Sequence, residues 1–131
     1  MKCALAAAGF INGDIEYNKA VLADTLGKCA GKADAVIFGE AFLQGFDSLN
    51  FTAGHDMAVA VSREDRVIHE LCQLAKEHAI AISFGFLEKD CGAFFSSAFW
   101  YSSRSFKADS LSVWLCTSLS RSVHKRSSRR A

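Results

Sequence analysis

The stretch Ala33–Phe46, ADAVIFGEAFLQGF, decides how this chain is read. Ala35, Val36, Ile37 and Phe38 form a short, almost wholly apolar run bounded by charge, the pattern of a buried strand. The run ends at Gly39. The next residue is a carboxylate, Glu40, followed at once by Ala41, Phe42 and Leu43. A carboxylate at the C-terminal end of a buried strand is expensive to desolvate and is seldom placed there for stability. Gly39 lets the backbone turn and aim that side chain at a crevice, where open α/β sheets bind ligands. These residues make Glu40 the candidate general base; the other reading of them is a surface glutamate opening a loop.

On the N-terminal side, Cys3 to Phe10 predicts a first buried strand closed by the Asn12-Gly13 turn signal. From about Glu16 to Ala30, Tyr17, Val21, Leu22, Leu26 and Cys29 follow helical spacing, and Gly31 suits the C′ position. Strand, helix and strand in that order predict a βαβ unit, hence a parallel pair with a right-handed crossover.

On the C-terminal side, Gln44 to Ala60 reads as a loop, with Gly45, Asp47, Ser48, Asn50, Gly54 and Asp56, placed where a binding rim would lie. Ser62 with Asp65 three residues on predicts a capping box opening a helix over about Arg63 to His78. His69 and His78 are not a helical metal pair and read as partly exposed helix residues, with His78 suited to the negative helix end. Ala79 to Phe86 predicts a third buried strand, and Phe94 to Tyr101 a fourth, antiparallel to it across the turn at Glu88–Gly92. The order β-α-β-α-β-β is an α/β pattern whose sheet needs covering on its other face.

The composition changes after Tyr101. Residues 1–100 hold 8 Lys/Arg against 13 Asp/Glu, whereas residues 101–131 hold 7 Lys/Arg against Asp109 alone. Two such balances within 131 residues divide the chain into a domain portion, 1–101, and a divergent Ser/Arg-rich tail, 102–131, expected to be poorly ordered. Within the tail, Leu111 to Leu119 is the one stretch apolar enough for a turn or a short strand.

Half of the chain is hydrophobic, sufficient for one core. No apolar run approaches the about 20 residues of a membrane span. The start, MKCALAAAGFI, reads as a strand, since its apolar segment is short for a signal peptide and a turn follows at once. The five cysteines, Cys3, Cys29, Cys72, Cys91 and Cys116, lack any CxxC or Cys/His ligand spacing; four of them sit in apolar surroundings, which predicts reduced core thiols in a cytoplasmic protein.

Taken together, the MKCALA strand, GDIEYN before the first helix, ADAVIFGEAFLQGF, AKEHAIAISFGFLEK and the SSAFW strand resemble the N-terminal portion of the nitrilase superfamily, the carbon–nitrogen hydrolases. The resemblance covers about three quarters of the chain, and Gly39 stands where the family usually has proline before its glutamate. It implies part of an α-β-β-α sandwich that commonly associates through its faces. It also implies a Glu-Lys-Cys triad with no cofactor and no metal, acting on a small non-peptide amide or nitrile. In that mechanism a cysteine thiolate attacks the carbon, the glutamate moves protons and the lysine stabilises developing negative charge. Glu40 matches the glutamate.

The lysine is expected inside the strand that follows SSAFW, after a glycine-bearing hairpin, and no such sequence occurs; Lys107 comes too soon. Cys116, in WLCTSL, is the substitute nucleophile the tail offers, without an elbow motif or a following helix. Three readings follow. The chain is a small active amidase using Cys116. Or it is a truncated or frameshifted family member, inactive alone and self-associating through its uncovered sheet. Or it is a binding module whose basic tail contacts nucleic acid or an acidic surface.

Overall fold

The computed structural model describes residues 1–103 and the short strand Leu115–Thr117. The elements run β1 (Cys3–Leu5), α1 (Ile15–Cys29), β2 (Ala35–Ile37), α2 (Ala53–Val59), α3 (Arg66–Glu77), β3 (Ala81–Asp90), β4 (Ala93–Tyr101) and β5 (Leu115–Thr117). They form a mixed sheet of order β1-β2-β3-β4-β5, parallel from β1 to β3 and antiparallel from β3 to β5. The two predicted βαβ units and the β3–β4 hairpin are present, and the fold class is α/β.

Local chemistry sets the helix ends. The Asp14 carboxylate accepts the Tyr17 N–H at 2.9 Å and caps α1. The helix stops at Ala30, followed by Gly31 at φ +74°, the left-handed conformation that a glycine adopts without a Cβ penalty. α3 begins later than the capping-box reading placed it. Asp65 is its N-cap, and its carboxylate reaches back to the Ser62 N–H at 2.8 Å, one half of the expected reciprocal pair. His78 is the C-cap of α3, and His69 is exposed within it.

Side chains alternate across the sheet. Ile82, Phe84, Phe86 and Phe99 enter the main core with Leu22 and Leu26 of α1 and Ile68, Leu71 and Ala75 of α3. Phe84 lies 5.2 Å from Phe99, ring centre to ring centre. Lys19 of α1 bridges to Glu70 of α3 at 2.8 Å and tightens that helix pair. Across the sheet a smaller cluster gathers Ala41, Ala60 and Leu87. On β1, by contrast, Leu5 remains 80% exposed.

Several expectations are corrected. The first strand ends at Leu5, and the chain from Ala6 leaves the sheet after one further backbone bond, to Ile37. The Gln44–Ala60 connection contains a helix, α2, seven residues long. Tyr17 is 46% exposed, and Asn18 is the buried α1 residue beside it, since its amide bonds the backbone of Ile11 and Leu43. Cys29 and Cys72 are half-buried, but Cys3 and Cys91 are exposed and are not core thiols. In keeping with the short strand the apolar tail stretch allowed, Leu115–Thr117 pairs antiparallel with β4, and the rest of the tail lies outside the described residues.

Candidate active site

Glu40 stands three residues beyond β2, on a segment laced to β3 by backbone bonds. The Phe38 N–H bonds the Ser83 carbonyl at 2.8 Å, the Gly85 N–H bonds the Gly39 carbonyl at 3.1 Å, and the Leu43 N–H bonds the Gly85 carbonyl at 3.2 Å. The approach is close because Gly85 has no side chain. A Cβ built there would lie 2.4 Å from the Ala41 nitrogen and 2.7 Å from the Glu40 Cα. The segment then turns through Ala41 at φ +49°, a left-handed conformation uncommon for a residue with a Cβ.

Two buried amides anchor the far side of this turn. Gln44 is fully buried and bonds both the N–H and the carbonyl of Leu87, each at 2.9 Å. The Asn18 amide donates to the Leu43 carbonyl at 3.0 Å. Gly45, at φ +92°, packs directly against Asn12.

Glu40 lines a cavity of about 400 Å³ between the β2 turn, β3 and β4, shared with Phe38, Ser83, Gly85 and Ser96. The Ser96 hydroxyl donates to Glu40 Oε1 at 3.1 Å. Within residues 1–103, none of Cys3, Cys29, Cys72 and Cys91 and no lysine lines the cavity. Cys72 is poorly suited to nucleophilic attack, since burial pushes its thiol up to about 11. The Cys91 thiol is also raised, by its hydrogen bond to Asp90 and that residue's charge.

Cys116 stands opposite Ser97 in the β4–β5 register, one strand beyond β4 and two from β3. β5 therefore occupies the place after SSAFW where the resemblance expects the triad lysine, and it reads Leu115-Cys116-Thr117. Among the described residues no group of three or more His, Cys, Asp or Glu could hold a metal ion, and no helix is long and apolar enough to cross a membrane.

A polar cluster unannounced by the sequence lies on the helix-covered face. Glu88 is fully buried on β3 and accepts hydrogen bonds from Arg63 Nε and the Ser97 hydroxyl. It ties the segment before α3 to the hairpin; Val61 joins there too, its N–H bonding the Leu87 carbonyl at 3.0 Å.

Comparison with known proteins adds to this geometry. An (R)-stereoselective amidase of Pseudomonas sp. is 29% identical over 99 residues, 75% of this chain and 34% of the amidase. A solved CN-hydrolase superfamily protein of Xanthomonas campestris, with an arsenic adduct in its active site, superposes with a TM-score of 0.65 at 18% identity. That match covers 80% of this chain and 41% of the other. The chain has the fold of part of a nitrilase-superfamily protein. The nitrilase-like chain also matches an amidase from Nesterenkonia sp., with a TM-score of 0.60 and 16% identity over 78% of this chain and 38% of that one. One structure of that amidase shows acrylamide added at its active-site cysteine. No family model matches. The nitrilase-like chain thus spans between one third and about two fifths of the length of these relatives.

Proposed function

We propose that residues 1–101 are the N-terminal portion of a carbon–nitrogen hydrolase domain with Glu40 as its general base. The 131-residue chain by itself supplies neither nucleophile nor charge-stabilising cation. The single observation that carries this reading is the Glu40 carboxylate in a cavity at the end of β2, on a turn that only a glycine at position 85 accommodates. A general base has to be fixed within hydrogen-bond reach of the proton it takes.

In the reaction so proposed, the carboxylate takes the proton of a cysteine thiol and the thiolate attacks the carbon of a small amide. The C–N bond breaks, and the nitrogen leaves with the proton that Glu40 returns. Water then attacks the acyl-enzyme, giving one proton to Glu40; the C–S bond breaks, the acid leaves, and Glu40 returns that proton to the departing sulfur. No step passes through a metal or cofactor. A lysine near the tetrahedral oxygen would stabilise its charge, and β5 contains none.

The test is ammonia release from acrylamide or butyramide by the purified chain. Turnover is expected at background in the chain, in Glu40→Gln and in Cys116→Ala. Turnover above background that disappears in Cys116→Ala would show the chain to be a complete amidase. The exposed Leu5 on edge strand β1 also supports self-association. Sedimentation should detect species larger than a monomer; a monomer at all concentrations contradicts that part.

A further inference from the structure

We propose that Ser96 is a positioning residue for the Glu40 carboxylate, a role that rests on the reading of Glu40 as the base. Ser96 and Glu40 are 56 residues apart in sequence and come from different elements, yet the serine hydroxyl donates to Oε1 at 3.1 Å. Ser96 lies in the long β3–β4 hairpin, opposite Leu87, whose backbone is held by the Gln44 amide. Gln44 belongs to the same turn as Glu40. The carboxylate is therefore referenced to one hairpin twice, through its own oxygen and through the side-chain amide of Gln44, four residues on.

The chemistry gives this a purpose. An exposed glutamate on a turn has three rotatable side-chain bonds, and holding it in one orientation costs conformational entropy. A hydroxyl donor to Oε1 fixes the plane of the carboxylate and assigns proton transfer to Oε2. Serine suits the task because it gives up its single hydrogen to a carboxylate, and hydrogen bonds to ionised acceptors are the stronger class.

The experiment uses the full chain labelled with ¹³C at the glutamate side-chain carboxyl, with the Glu40 signal assigned by its loss in Glu40→Gln. Ser96→Val and Ser96→Thr have nearly the same shape in a strand and differ in the hydroxyl. The Glu40 carboxyl signal is expected to move in Ser96→Val and to stay near its original position in Ser96→Thr, with the amide spectra of both variants folded. An unmoved signal in Ser96→Val, or an equal displacement in both variants, overturns the proposal. This readout needs no turnover, so its failure would leave the role of Glu40 as base standing, and a failure of that role would leave the hydrogen bond itself measurable.

Discussion

The side-chain amide of Gln44 pairs with the backbone of Leu87 as a neighbouring strand would, accepting its N–H and donating to its carbonyl, both at 2.9 Å. This substitutes for a missing strand where the turn after Glu40 crosses β3. Gln44→Ala removes the partner of the buried Leu87 N–H, whereas the Leu87 carbonyl keeps the Val61 N–H at 3.0 Å. A buried group left unsatisfied costs about 1–3 kcal/mol. The full chain should lose about 1–3 kcal/mol by urea denaturation. A loss below about 0.5 kcal/mol, the range of ordinary surface substitutions, would show that water replaces the amide without penalty.

Gly85 is the second fixed point. Its absent side chain leaves room for the Glu40–Ala41 backbone, which a Cβ would meet at 2.4–2.8 Å. Because those atoms are main chain, nothing there rotates away. Gly85→Ala should destabilise by about 1–3 kcal/mol through overpacking and should shift the amide signals of Glu40 and Ala41 more than those of α1. A neutral melting temperature with an unchanged spectrum would contradict the packing described.

Cys72 gives the chain a pH-dependent stability term. Burial raises its thiol from an ordinary 9.0 to about 11, so the folded state keeps the proton longer than the unfolded state. Stability from this group is complete below pH 9 and falls as the pH rises from 9 to 11. Cys72→Ala should lessen that alkaline fall. Cys72 should also react with iodoacetamide at pH 8 more slowly than exposed Cys3. Equal alkylation of the two would contradict the burial.

Much of the frame was legible because its signals are local. The apolar run ending in Gly39-Glu40 and the helical spacing from Glu16 to Ala30 each report on a single element, and each element is there. The hairpin expected at Glu88–Gly92 is present too, but its turn is only Cys91-Gly92, because Glu88, Lys89 and Asp90 pair with β4 and extend β3. What stayed hidden depends on contacts distant in sequence. Asn18, Gln44 and Glu88 read as ordinary polar residues, yet each is fully buried because its partners arrive from another part of the chain. Gly85 was an unremarked glycine inside a strand, although an interior glycine often marks a close backbone approach, and that signal could have located the Glu40 turn. α2 is hidden because Gly54, His55 and Asp56 resemble loop composition, while the bond from the Gln44 amide to the Val59 carbonyl at its last residue, 3.5 Å, comes from another part of the chain.

The most direct measurement concerns Glu40 within a complete catalytic domain. In a graft, the matched residues of this chain replace the corresponding segment of the Pseudomonas (R)-stereoselective amidase, so that the remainder of that enzyme completes the fold. The graft should hydrolyse an amide substrate of its parent. Glu40→Gln in the folded graft should lower kcat/KM by about 10²–10⁴-fold, as expected for loss of a general base. A Glu40→Gln graft that turns over within a few-fold of its unsubstituted counterpart would contradict the account.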